Sequence, residues 1–447
     1  MVTTKADGST RSDGPVVSIF PVLLVNFIGA LGFSIVIPFM VFQVTRWGGN
    51  ALVYGLVAAT YPAWQFVGAP VLGRWSDVYG RRKILLLSQA GTLLSWLIFA
   101  GAFLVPTTAL VDVNSGLGKF VLTIPVLIVF LARALDGVTG GNISVANAYL
   151  IDVTPEDQRG TNFGRMAVAS NLGFIVGPAL AGMLGSTALG ELLPILAAAA
   201  ISLVATCLVA FYLPESNPCA YREDRHCVGI RKVMGQEERT CFQEGREAQT
   251  SWRELLRQNN VTFMLVLYFL IFLGFNLFYT AFPVYAEGGL QWSVREIGIF
   301  FTVLSGVMVV VQGPVLARLN RKVNAPKLVV GGGVVLGLSF IVLTSHDTRL
   351  VYLAAVLFAV GNGLMWPSYM SLLSRTVEAR YQGMLQGMAA SAGSVASIVG
   401  LILGGIAYIF LAEKTFVLSA AIIFAACLLS TRLVRSFPTL SAPRNDS

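Results

Sequence analysis

The chain has 447 residues, of which 55% are hydrophobic and only 12% are charged. A soluble domain carries roughly 25% charged residues, so the composition excludes an ordinary soluble enzyme and points to a membrane protein. The net charge of +8 is distributed over loops and does not make the chain a nucleic-acid binder.

Residues 1–15 are polar and are expected to be a disordered tail. A helical span needs about 20 apolar residues. Twelve stretches qualify, approximately 16–41, 51–72, 84–106, 121–150, 161–185, 192–213, 260–286, 294–316, 327–345, 350–373, 382–411 and 415–434. The expected fold is an all-α integral membrane protein with twelve transmembrane helices in two six-helix halves, 16–213 and 260–434. A charged central loop (214–259) joins them and a short tail (435–447) follows. Strands of an outer-membrane barrel would read as short alternating segments, which these are not. The first span is too long for a signal-peptide core and has no small-residue cleavage site. Of the 31 Lys and Arg, twenty-five fall on the side holding the termini and five on the other. The remaining one is Arg133. The positive-inside rule therefore puts both termini and the central loop in the cytoplasm.

Span 1 groups Asn26, Gly29 and Phe33 on one face. Spans 2 and 3 are joined by Gly73-Arg74-Trp75-Ser76-Asp77-Val78-Tyr79-Gly80-Arg81-Arg82-Lys83. A plain reading is a tight cytoplasmic hairpin rich in basic residues. The spacing G-x-x-x-D-x-x-G-R-R-K resembles the signature loop of the major facilitator superfamily. That resemblance implies that Gly73 and Gly80 frame the turn. It also implies that Asp77, Arg81 and Arg82 latch the cytoplasmic ends of the two halves. The family often has Arg directly after the Asp, where this chain has Val78.

Span 4 carries Arg133 and Asp136 near its middle. Charge at that depth costs several kcal/mol, so it faces protein or a wet cavity and marks function. At 100° per residue Arg133, Asp136, Gly140, Ser144 and Asn147 fall within about 60° of one another. Span 5 holds Gly164, Gly173, Gly177, Pro178 and Gly182. Pro bends a helix and glycines let a neighbour approach closely. Arg133-x-x-x-Gly137 resembles the family's intramembrane arginine motif. The span-5 glycines are similar to the motif associated with its antiporters, with Ala181 for one Gly. The stretch AYLIDVTPEDQRGTNFG between these spans resembles the tetracycline and multidrug proton antiporters. The tetracycline group carries an acid in span 1, about where Gly29 stands here.

Pro214-Glu215-Ser216 closes the first half. Three of the five cysteines, Cys219, Cys227 and Cys241, lie in the central loop near His226; Cys207 and Cys427 lie in spans. Their spacing fits no standard zinc pattern, and no metal site is expected. Ser251 and Glu254 read as a capping box. Trp252, Leu255 and Leu256 with Arg253 and Arg257 predict a short interfacial helix. The second half repeats the first. Pro70-Val71-Leu72-Gly73-Arg74 recurs as Pro314-Val315-Leu316-Ala317-Arg318, and Gly164, Gly177 and Gly182 recur at the same spacing as Gly387, Gly400 and Gly405. Under this alignment Arg321 stands where the first loop has Asp77. Such repeats argue for two bundles around a midplane site.

The resemblance implies that spans 1, 4, 7 and 10 face a central cavity. Candidate lining residues are Asn26, Phe33, Asn147, Phe272, Asn276, Tyr279, Asn362, Trp366 and Tyr369. Aromatic stripes also arise from plain packing, and the sequence alone leaves both readings open. Such a lining suits an apolar or amphipathic organic molecule or a lipophilic cation. Asp136 is the only acid well inside a span. Burial disfavours its carboxylate and Arg133 favours it. The sequence therefore predicts that protons and substrate compete near Asp136 and Arg133. The alternative is a permanent ion pair that only positions span 4.

The function this implies is proton-coupled efflux of a small organic molecule or drug by a monomer in the bacterial cytoplasmic membrane. Proton-coupled uptake is one alternative, and a non-transporting sensor or scaffold is another. His226 and His346 lie in opposite-side loops and form no catalytic pair. No G-x-x-x-x-G-K loop is present, so neither an enzyme nor ATP-driven transport is expected, and no cofactor.

Overall fold

The structure is a computed structural model that describes residues 19–140, 142–154, 158–217, 252–258, 260–378 and 381–436. Ser251 of the expected capping box and the loop residues Cys219, His226, Cys227 and Cys241 lie outside them.

The first span is a bent pair, α1 (Phe20–Ile35) and α2 (Ile37–Arg46). The axes turn by 41° at the break. Pro38 explains it, having no amide hydrogen for the preceding turn. α3 (Ala51–Tyr79) starts at Asn50, whose side chain accepts from the Val53 amide. It ends at Gly80, whose φ of +106° suits glycine and strains other residues. α4 (Arg81–Gly101) follows at once. Its Arg81 and Arg82 amides donate to the Glu215 carboxylate at 2.8 and 3.2 Å. A carboxylate there satisfies orphan donors at the positive end of the helix dipole. Glu215→Ala is expected to destabilise the purified protein by about 1–2 kcal/mol in a thermal melt. Glu215→Gln should recover part of that loss, and equal melting of all three proteins would reject the cap.

The fold is not purely helical. Residues expected as loop and as the start of span 4 form a hairpin, β1 (Ala109–Ser115) and β2 (Gly118–Thr123), paired antiparallel. The alternating ALVDVNS and KFVLT runs have strand periodicity, with Gly116-Leu117 at the turn. The hairpin docks on the loop between spans 1 and 2. The Val121 backbone amide donates to the Gly48 carbonyl at 2.8 Å, Asn50 Nδ2 to the Leu117 carbonyl at 3.1 Å, and the Thr123 hydroxyl to the Trp47 carbonyl at 2.9 Å.

Span 4 therefore begins at Ile124, not near residue 121. It is divided into α5 (Ile124–Thr139) and α6 (Asn142–Val153), with Gly140 closing α5. α7 (Arg159–Gly185) and α8 (Leu192–Tyr212) complete the first half. The short helix expected before span 7 is α9 (Trp252–Arg257). The second half comprises α10 (Val261–Gly288), α11 (Val294–Val310), α12 (Leu316–Leu319), α13 (Ala325–Val342), α14 (Thr348–Ser374), α15 (Gln382–Leu411) and α16 (Thr415–Ser436). A π-helical turn, Val311–Val315, joins α11 to α12. Pro314 sits within it, where a missing amide favours a wider turn.

Among the described residues nine helical stretches are long and apolar enough to cross a membrane, and the bent α1–α2 pair makes ten. One of the nine, Met384–Val434, is 51 residues long. It spans both α15 and α16, which part at Ala412. α3 is long enough but is diluted by Tyr54, Tyr61, Pro62 and Gln65. Those two features separate the apolarity count from the twelve spans expected.

The halves repeat in their packing. α1 packs on α7 and α8, α3 on α5, and α4 on α8; correspondingly α10 packs on α15 and α16, α11 on α14, and α13 on α16. The two most extensive crossings between the halves are α3 with α15 and α7 with α11, and α2 also touches α10 and α11. Exchanging the halves maps this pattern onto itself, which is the pseudo-symmetry the repeated glycines predict.

Candidate functional site

A cavity of about 420 Å³ lies inside the first half, lined by residues of α1, α3, α4, α5, α6, α7 and α8. Its volume suits one drug-sized molecule. The wall is largely apolar, with Ile28, Gly29, Gly32, Phe33 and Phe174 among its residues. Asn26, Tyr61, Gln65, Gln89, Thr92, Trp96 and Asp136 add polar atoms. Among the described residues of the second half, Phe272 alone reaches it.

Asp136 and Arg133 are 6% and 5% exposed. Arg133 Nη1 donates to Asp136 Oδ2 at 3.1 Å. The Arg133 guanidinium also stacks over the Tyr61 ring, 4.8 Å from its centroid. A ring face stabilises a cation in a low-dielectric site. Tyr61 in turn contacts Phe33, centroids 5.2 Å apart, and its hydroxyl accepts from Gln65 Nε2 at 3.1 Å. Asp136 is thus a cavity-wall carboxylate whose cation is held from behind by an aromatic ring.

The predicted lining residues divide. Asn26, Phe33, Asp136 and Phe272 meet on the cavity wall. Asn26 is also tied to α7, donating to the Met166 carbonyl at 2.9 Å and to Ser170 Oγ at 2.5 Å. Asn147, Asn276, Tyr279, Asn362, Trp366 and Tyr369 are not among the described residues on that wall. The Asn276 amide donates to the Phe272 carbonyl at 2.7 Å and to Ser397 Oγ on α15 at 3.1 Å. Tyr369 is fully buried and its hydroxyl donates to the Met264 carbonyl. Trp366 packs with Phe272, Tyr268 and Tyr369, and Tyr279 with Phe275, Phe278 and Phe301. Asn362 Nδ2 lies 3.7 Å from Met308 Sδ. Asn147 is half-buried beside Ala146, which does line the cavity. Helical periodicity groups residues on a face, but neighbouring helices decide whether that face meets space or another side chain.

Tyr61, Gln65, Gln89, Thr92, Trp96, Ser170, Phe174 and Ser202 were not picked out in the sequence. Two carried a signal. Gln65 and Gln89 are amides deep in apolar helices, where an unneeded polar group is expensive.

The family model described as Major Facilitator Superfamily matches residues 22–401, and again 264–446. The chain belongs to the major facilitator superfamily. It is an integral membrane transporter and not an enzyme. It is 26% identical over 366 residues to the class C tetracycline resistance protein of Escherichia coli, covering 82% of each chain. It is 26% identical over 401 residues to multidrug resistance protein 2 of Bacillus subtilis (strain 168), covering 88% of this chain and 89% of that one. The crystal structure of the human organic anion transporter MFSD10 superposes with a TM-score of 0.63 at 19% identity, over 92% of this chain and 98% of that one.

The signature loop of this superfamily member makes contacts inside the first half. Arg81 is ion-paired with Asp77 and, at 3.0 Å, with Asp152 at the end of α6. Arg82 donates to the Ala210 carbonyl, and Asn217 Nδ2 to the Asp77 carbonyl at 2.7 Å. Gly73 faces Ser144. These partners tie the span 2–3 turn to the ends of spans 4 and 6, whereas the expected latch joined the two halves. Reach explains the difference. Arg81 starts a helix of the same bundle as Asp77, Asp152 and Glu215, and its guanidinium is paired with the first two and its backbone amide with the third.

The span-5 glycines serve two contacts. A Cβ on Gly173 would stand 2.6 Å from the Phe27 carbonyl, and one on Gly177 would strike Ser34 Oγ, so both pack α7 onto α1. Gly182 and Pro178 meet Gly298 of α11 across the halves. Gly400 and Gly405 repeat the scheme, Gly400 against α10 and Gly405 against Ala51 of α3. Both crossings lie on the side opposite the termini, where Thr45 Oγ1 also donates to Glu287 Oε2 at 3.0 Å.

Proposed function

We propose that this transporter exports an apolar or amphipathic organic molecule in exchange for protons. The observation that carries the reading is a largely apolar, drug-sized cavity with one buried carboxylate, Asp136, on its wall. The resemblance to tetracycline and multidrug resistance proteins supports export over uptake. A proton on Asp136 removes the negative charge that pairs with Arg133, so loading a proton and loading a cationic or polarisable substrate oppose each other. The clasp between the halves at Gly182–Gly298 and Ala51–Gly405 closes one side of the cavity in this reading. Alternating access opens that clasp and closes the other side. The excess of basic residues in one set of loops supports both termini lying on the cytoplasmic side of a bacterial cytoplasmic membrane, and a cavity lined by a single chain supports a monomer as the working unit.

The test uses purified protein in liposomes enclosing a pH-sensitive dye under an inward proton gradient. Lipophilic cations, tetracyclines and neutral organics are added in turn. Export predicts substrate-dependent proton movement with the substrate moving against the protons. Movement of substrate and protons in the same direction would sink export and leave uptake.

A further inference from the structure

The Asp136–Arg133 pair is one side of a closed ring of contacts between α5 and α3. The Arg133 guanidinium lies over the Tyr61 ring, 4.8 Å from its centroid. The Tyr61 hydroxyl accepts from Gln65 Nε2 at 3.1 Å, and the same nitrogen donates to the Gly140 carbonyl at 3.0 Å. A carboxamide nitrogen carries two hydrogens, so one serves each acceptor. The Gly140 amide donates in turn to the Asp136 carbonyl at 2.6 Å. Gly140 is the residue at which span 4 divides into α5 and α6. Gln65 therefore ties the ring behind the guanidinium to the break that follows the carboxylate by one turn.

Packing leaves this link little slack. A Cβ on Gly140 would stand 2.7 Å from the Tyr61 hydroxyl, and one on Gly137 would stand 2.5 Å from the Tyr61 carbonyl. Tyr61 is thus seated on the α5 backbone at the residues that end the helix. Among the described residues Arg133 is the one charged group acting on Asp136, while α3 adds the Tyr61 hydroxyl and α4 the Thr92 hydroxyl. Neutralising Asp136 removes one of the two holds on Arg133 and leaves the Tyr61 ring as the other. Any shift of the guanidinium then loads Tyr61, and Tyr61 is bonded through Gln65 to the break.

We propose that Gln65 is a positioning residue for proton coupling, whose carboxamide transmits the charge state of Asp136, by way of Arg133 and Tyr61, to the break in span 4. The inference rests on the reading of Asp136 as the proton carrier. It adds that the first movement after proton loading is at Gly140, inside the first half, ahead of any opening between the halves.

The test follows hydrogen exchange by mass spectrometry on the purified full chain, with no substrate present. Asp136→Asn stands in for the protonated carboxyl. It is expected to speed exchange in the peptide covering 137–147 about five- to tenfold, the effect of one weakened hydrogen bond. Residues 124–132, in the other half of α5, should stay within about twofold of the parent. Gln65→Met removes both donors and keeps the length of the side chain. Tyr61→Phe keeps the ring behind Arg133 and removes the acceptor. In either background Asp136→Asn should no longer change exchange at the break, and the two backgrounds combined should do no more than one alone. A merely structural role would raise exchange in the backgrounds and leave the response to Asp136→Asn intact, which overturns the proposal. An increase spread evenly along α5 overturns it too. Should Gln65→Met fail to fold, Tyr61→Phe gives the same reading. A response lost in both backgrounds, in a protein that exchanges no compound for protons, would sustain the link and sink the export reading.

Discussion

Asp136→Asn is expected to abolish uphill substrate movement driven by a proton gradient. For one-for-one exchange, each pH unit sustains about a tenfold substrate gradient, because one pH unit is equivalent to 1.36 kcal/mol. The variant should sustain none, while downhill exchange of substrate for substrate survives. Loss of activity by itself does not decide the case. Removing one partner of a buried pair leaves Arg133 charged and unpaired, a change worth about 3–5 kcal/mol. The Tyr61 ring 4.8 Å from the guanidinium offsets part of that.

The double variant Arg133→Met with Asp136→Leu decides it. Replacing a buried pair by apolar residues of similar volume is often neutral or stabilising. If the pair only positions span 4, the double variant should recover proton-driven flux together with its melting temperature. If Asp136 carries the proton, stability returns and coupling does not. Coupling that returns with stability would remove Asp136 from the mechanism.

Gly405→Val is expected to lower steady flux by about 10- to 100-fold. A Cβ at Gly405 would meet the Ala51 carbonyl, and backbone cannot swing aside as a side chain can. Overpacking of this kind costs about 1–3 kcal/mol, and it penalises only the state in which the halves touch at this crossing. A penalty of 1.4 kcal/mol shifts a two-state equilibrium tenfold. Gly182→Val tests the symmetry-related crossing, and the pair should be nearly additive because the two sites share no contacts. A cysteine placed at Thr45, beside the same clasp, should react faster with an impermeant maleimide in both variants. Unchanged flux and unchanged labelling would mean that the clasp does not open during transport.

Much of this architecture was legible in the sequence. The spacing of Gly164, Gly177 and Gly182 and its copy at Gly387, Gly400 and Gly405 carry the two-fold repeat. The structure assigns the copies matching partners. Gly177 and Gly400 each pack on the first span of their own half, and Gly182 and Gly405 each cross to the other half. Arg133 and Asp136 stood out because charge in an apolar span is costly, and the structure pairs them at 3.1 Å. The hairpin 109–123 was missed because residues 109–120 read as a loop between spans and residues 121–123 as the start of span 4. Its strand character depends on pairing with the neighbouring run and on docking to Trp47, Gly48 and Asn50.

Composition and periodicity determined the membrane solvent, the helical spans, the repeat and the buried charge. Each is a property of single segments measured against lipid or water. Which face meets a cavity depends on a second segment, and only the tertiary structure decided that. Asn276 and Tyr369 carry polar groups at the expected depth, yet helices packed against them take up those bonds. Asp136, by contrast, lines a cavity because the helices around it leave space there. A polar side chain is a site only where its neighbours leave its bond unmade.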